Sequence, residues 1–246
     1  MYNKNNKIKI GIIGYRSWIA QSLIKAFNSS FDFEIVCIDK SDFIKEYKSS
    51  PHTSCTIPSI KLNKYSDLGY LFVVPGKLNQ DYEENYNEVL LAATIGKWAS
   101  DDIPILFLSS KFEGKDNEYA NHKKNVENSL IDHAKGCRTK ISIFKPPAMF
   151  GELQSKNSPM LIPFIVNSGG NVLLNSADTE TEFLYINDFI RTVINEIFFY
   201  FGVNRTINGD FFSYLPSVKF VKDFENVIKI TPRNLVNLYK VFNSDS

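Results

Sequence analysis

Lys9-Ile10-Gly11-Ile12-Ile13-Gly14-Tyr15-Arg16-Ser17-Trp18-Ile19-Ala20 is the stretch that decides the fold. A short β-branched run ends at a glycine, and a segment with helical apolar spacing, Ile19 to Phe27, follows almost at once. A run this short reads as a buried strand, so the chain passes from strand to helix through one tight loop. The first N–H groups of a helix have no intrahelical acceptor, which makes such a junction an anion site.

The same alternation continues outward. Glu34 to Ile38, Tyr70 to Val74, Ile103 to Leu108 and Lys140 to Phe144 read as further buried strands, and Tyr82 to Trp98 and Tyr119 to Ala134 as helices. Strands alternating with helices predict an α/β fold, a Rossmann-type doubly wound parallel sheet covered on both faces. Lys40 to Asp67 is read as one short helix and one strand. Beyond Phe144 the pattern changes: Lys145-Pro146-Pro147 halts the strand, Gly151 to Pro159 is polar, and Ser168-Gly169-Gly170-Asn171 is a turn. Helical spacing returns from Asn187 to Phe201, and Val218 to Ile228 and Asn234 to Phe242 are read as two short helices. The expected division is a dinucleotide-binding domain over residues 1–150, to which 182–208 return, and a small C-terminal substrate-binding region from 151–181 and 209–246.

Composition excludes several classes. With 246 residues, 43% of them hydrophobic, the chain can bury a core in one domain. A formal charge of +1 supplies no global field for nucleic acid or an anionic membrane. Cys37, Cys55 and Cys137 are odd in number and lack Cys-x-x-Cys spacing, which suits a reducing compartment. His52, His122 and His133 form no ligand cluster, so no metal is expected, and His122 reads as a helix-surface residue. Met1 to Asn6 is polar, and no run reaches the roughly 18 apolar residues of a membrane span. A soluble cytoplasmic protein is expected. Trp18, Trp98 and the aromatic run Phe198 to Phe201 read as packing residues, and Asp178 to Glu180 as a solvated turn.

Two groups of residues carry chemistry. A dinucleotide loop needs Gly at its turn, a small residue beside the pyrophosphate, and Gly or Ala where helix meets strand. Gly14, Ser17 and Ala20 stand at these places. Asp39 follows the second strand, where an acid accepts from an adenosine ribose, while Arg16 and Lys40 suit a 2'-phosphate; on charge, NADP(H) is favoured over NAD(H). The second group is Ser110, at the end of a buried strand, with Tyr119 and Lys123 one turn apart on one helix face. A chain with 12 Tyr residues supplies Tyr-x-x-x-Lys readily by chance, so its position after the strand gives it meaning.

Taken in order, these landmarks resemble the extended short-chain dehydrogenase/reductase family, the nicotinamide-dependent epimerase/dehydratase group acting on nucleotide sugars. Gly14 to Ala20 looks like the loop of GDP-fucose synthases, in which an Arg at the Arg16 position contacts the NADP 2'-phosphate. Val73-Val74-Pro75-Gly76 is similar to the strand exit beside the cofactor, and Asn85 to the family Asn on the next helix. Ser109-Ser110 and Tyr119 to Lys123 resemble the family's Ser and Tyr-x-x-x-Lys. The short loop ending Asp116-Asn117-Glu118-Tyr119 resembles that of capsular-polysaccharide reductases. Lys145-Pro146-Pro147-Ala148-Met149-Phe150-Gly151 is similar to Arg-Pro-x-x-Val-Tyr-Gly, and Glu182 to Asp188 to Asp-Phe-x-Tyr-Val-Asp-Asp. Ser17, Lys145 and Thr181 depart from the family's Gly, Arg and Arg.

The resemblance implies cofactor contacts from Gly14, Arg16, Ser17, Trp18, Ile19, Asp39, Lys40, Val74, Pro75, Gly76, Asn85, Lys123 and Pro146. It implies substrate contacts from Lys111, Lys145, Asn157 and Thr181, and a homodimer through helices Tyr82 to Trp98 and Tyr119 to Ala134. Ser110, Tyr119 and Lys123 would be catalytic. Lys123 would lower the Tyr119 pKa, Tyr119 would act as general acid toward a carbonyl, and Ser110 would hydrogen-bond the same oxygen. The implied activity is NADPH-dependent reduction of a nucleotide-linked 4-keto-6-deoxy sugar in surface-polysaccharide (O-antigen or capsule) biosynthesis. Two alternatives stay open. One is an epimerase or dehydratase that retains its cofactor and uses Lys111, Glu113 or Glu118 as an extra acid/base. The other is a non-catalytic NADP(H)-binding member of the fold.

Overall fold

The computed structural model describes residues 7–29, 32–42, 68–74, 82–98, 103–111, 118–135, 139–155, 157, 160–171, 178–206 and 218–243. The strands are β1 (Ile8–Ile13), β2 (Phe33–Ile38), β3 (Tyr70–Val73), β4 (Ile105–Leu108), β5 (Ile141–Phe144), β6 (Ala148–Phe150), β7 (Thr181–Tyr185), β8 (Val218–Val221) and β9 (Ile228–Ile230). The helices are α1 (Trp18–Asn28), α2 (Tyr82–Trp98), α3 (Glu118–Ala134), α4 (Leu161–Asn167), α5 (Ile186–Thr206) and α6 (Pro232–Asn243).

Six strands form a parallel sheet in the order β2-β1-β3-β4-β5-β8; the alternating pattern predicts a parallel sheet, but not β8 as its edge. Side chains along each strand alternate between its faces. Ile10, Ile12, Phe72, Leu106 and Phe144 therefore join one core with Leu23, Phe27 and Phe189 of α1 and α5. Ile13, Leu71, Val73, Ile105, Phe107 and Ile143 join a second with Leu91, Ile95, Val126 and Leu130 of α2 and α3. Because β2 and β3 flank β1 on opposite sides, the chain winds both ways from β1. A crevice opens at such a switch point, at the carboxyl ends of the strands.

The first turn is set by two local devices. Gly14 has φ +80°, and a Cβ there would stand 2.3 Å from the Val74 carbonyl oxygen, so only glycine lets the exits of β1 and β3 lie this close. Ser17 caps α1: its Oγ accepts from the Ala20 N–H at 3.2 Å. The serine in the second fingerprint place thus supplies an acceptor to a helix end that needs one.

Several elements differ from the sequence expectation. Val218 to Ile228 is no helix. It forms β8, a turn with Asn226 at φ 58°, and then β9. Val218, Val221, Val227 and Ile228 favour extended backbone, and the otherwise open edge of β5 pairs with β8 from Ile141↔Val218 to Phe144↔Val221. Pairing of this kind depends on a strand far away in sequence, which local spacing does not record. β6 and β7 pair in parallel and β9 adds antiparallel to β7, giving a three-stranded second sheet, and α4 is a further helix. Lys40 to Asp42 begin a helical turn, while the rest of the stretch read as helix and strand before Asp67 lies outside the described residues, as does the Trp98 side chain. In the aromatic run, Tyr200 is buried and Phe198 and Phe199 are exposed.

Candidate active site

The carboxyl edge of the large sheet gathers the predicted residues. Beyond β1, the Arg16 side chain is 79% exposed and its guanidinium lies 3.5 Å from the Asp39 carboxylate. Asp39 Oδ1 also accepts from the Ser41 backbone N–H and hydroxyl. Lys40 Nζ is 3.9 Å from Glu88 of α2. Trp18 and Ile19 are half-buried at the start of α1, Val74 is buried beyond β3, and Asn85 is half-buried on α2. Pro75, Gly76 and Glu113 lie outside the described residues.

At the other end, β4 delivers Ser109 and Ser110, both buried. The Ser109 N–H donates to the Phe144 carbonyl at 2.8 Å and the Lys111 N–H to the Pro146 carbonyl at 3.1 Å, so the exits of β4 and β5 are laced together around Ser110. Pro146 is itself buried. From α3, Tyr119 reaches the Ser110 side chain with its phenol while leaving 38% of its surface exposed. Lys123, one turn on, is buried with its ammonium 5.7 Å from the Tyr119 ring centroid. The structure thus brings Ser110, Tyr119 and Lys123 together.

The electrostatics depart from expectation. Burial pushes the Tyr119 phenol up, the Ser110 hydrogen bond opposes this, and the Glu88 charge adds to it. Burial pulls the Lys123 ammonium down, with Glu88 opposing and Lys40 adding. Burial of the phenol thus acts against the lowering expected from Lys123. The phenol therefore keeps its proton, the state a proton donor requires.

Three carboxylate or imidazole groups escaped the sequence reading. Glu88 and His122 are buried between α2 and α3 with Oε2 and Nε2 2.7 Å apart. His122 is therefore no surface residue: it sits on the side of α3 that packs against α2, and Glu88 satisfies its ring. Glu127 is buried one turn beyond Lys123; it accepts from Ser109 Oγ at 3.0 Å and lies 3.0 Å from Lys145 Nζ. A polar residue repeating every four positions in an otherwise apolar helix face, as Lys123 and Glu127 do, is the signal that could have found it.

No protein-family model matches this sequence, and no curated protein matches it. Solved structures do. The capsular polysaccharide assembling protein CapF from Staphylococcus aureus is 18% identical with a TM-score of 0.63, covering 96% of this chain, which spans only 58% of CapF. UDP-glucuronic acid 4-epimerase from Bacillus cereus, solved in complex with NAD, is 13% identical with a TM-score of 0.68 over 97% of this chain and 85% of its own. TunA, an NAD-dependent NDP-hexosamine 5,6-dehydratase of tunicamycin biosynthesis, is 15% identical with a TM-score of 0.65 over 97% and 82%. This chain shares its fold with these nucleotide-sugar enzymes.

Within this fold, the residues expected at the substrate are mostly engaged with the protein. Lys111 Nζ pairs with the Glu182 carboxylate, which Lys229 also approaches to 3.7 Å. Lys111 foremost holds that carboxyl below the usual range. Lys145 turns inward to Glu127, with its ammonium 4.6 Å from the Phe220 ring centroid. Burial, aided by Lys222, draws Lys145 down to about 8. Thr181 donates to the Thr179 carbonyl, and Asn157 is exposed with its N–H on Ser155 Oγ. A cavity of about 230 Å³ opens between β6, β7 and α4, lined by Phe150, Glu152, Gln154, Ile162, Val166 and Tyr185. Among the described residues no His, Cys, Asp and Glu group could hold a metal ion, and no helix is long and apolar enough to cross a membrane.

Proposed function

We propose that this chain is a nucleotide-sugar enzyme of the short-chain dehydrogenase/reductase type that uses a nicotinamide dinucleotide, and more specifically an NADPH-dependent reductase of a nucleotide-linked 4-keto-6-deoxy sugar in surface-polysaccharide biosynthesis. The observation that carries the reading is the meeting of the Ser110 and Tyr119 hydroxyls beside the buried Lys123 at the carboxyl edge of the sheet.

The residues fit the cofactor. Glycine at position 14 leaves open the ground beside the Val74 carbonyl that a Cβ would fill, and the α1 N-terminus follows three residues on, capped by Ser17. Gly14, Ser17, Trp18 and Ile19 would hold the pyrophosphate, with Asp39 at the ribose. Arg16 and Lys40 would hold a 2'-phosphate. Val74, Asn85, Lys123 and Pro146 would flank the nicotinamide. Pro75 and Gly76 belong to the same assignment. When bound, the reduced cofactor supplies a hydride to the carbonyl carbon. Tyr119 gives its proton to the carbonyl oxygen as charge develops there, and Ser110 donates a hydrogen bond to that oxygen. Lys123 then stabilises the phenolate left on Tyr119 through its charge.

Residues 151–181 and 209–246 are assigned to the sugar side, where Asn157 and Thr181 would meet substrate, Lys111 and Lys145 would do so only on leaving Glu182 and Glu127, and the cavity by Phe150 and Tyr185 would receive part of it. A homodimer through α2 and α3, and action in the cytoplasm, complete the proposal. The test is a purified-protein assay for NADPH oxidation across a panel of 4-keto nucleotide sugars; no oxidation with any of them overturns the reductase assignment. A second reading, an epimerase or dehydratase, is favoured by the fold shared with a 4-epimerase and a 5,6-dehydratase. Cofactor that stays bound through purification and is regenerated in each turnover would select it.

A further inference from the structure

The acid Glu127 lies one turn beyond Lys123 and two beyond Tyr119 on α3, so it shares their face of the helix. It touches neither. It instead joins α3 to both strand exits that frame Ser110: its Oε2 accepts from Ser109 Oγ at 3.0 Å at the end of β4, and its Oε1 lies 3.0 Å from Lys145 Nζ at the end of β5. All three side chains are buried, and backbone bonds from Ser109 to Phe144 and from Lys111 to Pro146 make the two exits one unit.

Taking a carboxylate and an ammonium out of water carries a large desolvation cost that their attraction must offset, and an apolar trio of equal volume is often no less stable. Stability is thus a weak reason for this cluster. Its geometry is specific: one carboxylate, using one oxygen for each strand, fixes how far along its axis α3 sits relative to Ser110. We propose that Glu127, acting through Ser109 and Lys145, is a positioning residue that holds Tyr119 in register with Ser110. This deepens the proposed reductase function and rests on it for its catalytic consequence, but the register itself is a property of the chain alone.

The register is read by the ¹³Cζ resonance of Tyr119 at neutral pH in the full chain without ligands, assigned by its loss in Tyr119→Phe. Ser110→Ala supplies the reference for a Tyr119 that has lost its hydroxyl partner. Glu127→Ala and Ser109→Ala are expected to move the resonance toward that reference. Glu127→Gln, which keeps an acceptor for Ser109, is expected to move it less. With a 4-keto nucleotide sugar and NADPH, Glu127→Ala is expected to lower kcat about tenfold or more with KM nearly unchanged, as loss of alignment does. A resonance that stays at its wild-type position in both alanine variants overturns the proposal, whatever happens to activity. Should Glu127→Ala fail to fold, Ser109→Ala, which removes the tie to β4 alone, decides the question by the same resonance. A moved resonance in a chain that reduces no sugar upholds the register and overturns only the reductase function.

Discussion

Gly14 and Val74 lie so close that a methyl group on the glycine would stand 2.3 Å from the valine carbonyl oxygen. The two residues end β1 and β3, the neighbours on either side of the crevice. Replacing Gly14 with alanine forces both a clash with backbone and a left-handed conformation at φ +80°. Gly14→Ala is expected to lose at least about 1–3 kcal/mol of stability, read by urea unfolding, and to weaken nicotinamide-dinucleotide binding measured by fluorescence titration. Unchanged stability would mean that the β1 and β3 exits can separate freely.

Tyr119 is the proton donor in the proposed reaction, and its ring is partly exposed where Ser110 and Lys123 meet it. Tyr119→Phe keeps the ring and removes the proton. The expected outcome is a kcat loss of about 10²–10⁴ with cofactor affinity retained. Steady-state kinetics and a binding titration check it; an active phenylalanine variant removes Tyr119 from the chemistry.

The exposed Arg16 guanidinium lies 3.5 Å from the Asp39 carboxylate and 5.3 Å from the Tyr15 ring centroid. If it meets a 2'-phosphate, Arg16→Ala will weaken NADPH binding about tenfold or more while changing NADH binding little. Calorimetric titration with the two cofactors compares them directly. Equal losses would assign Arg16 to the shared pyrophosphate, and no loss would remove it from the site.

The alkaline limit of stability follows from a buried phenol. Burial chiefly, with Glu196 adding and the Ser142 hydrogen bond opposing, pushes Tyr200 from 10.0 up to about 12. Between these values the unfolded chain has lost a proton that the folded chain keeps, so folding stability contributed by Tyr200 is complete below pH 10 and fades as pH rises toward 12. Buried Tyr70, whose hydroxyl donates to the Ile197 carbonyl at 3.0 Å, is shifted the same way. Tyr200→Phe is expected to flatten the fall of unfolding free energy over that range, measured by denaturant unfolding at stepped pH. An unchanged slope would contradict the assignment.

The fold was legible wherever a residue's fate depends on its near neighbours. Ile10, Ile12 and Ile13 form a buried strand because a short β-branched run admits little else, and Gly14 and Ser17 close the turn through contacts with adjacent chain. Val218 misled because its spacing suits a helix, whereas its partner is Ile141, far back in the sequence. His122 misled for a similar reason: a histidine beside a lysine on a polar helix reads as solvated, until Glu88 of another helix is packed against it.

The amino-acid sequence by itself determined the alternation of strands and helices, the glycine-closed first turn into α1 and the candidate trio Ser110, Tyr119 and Lys123, because periodicity, turn chemistry and four-residue spacing are local. Only the tertiary structure decided that Lys145 turns inward to Glu127, that Lys111 is held by Glu182, and that burial pushes the Tyr119 phenol up rather than down. Desolvation and ion pairing depend on which distant segments close around a group, and a linear sequence does not state those distances.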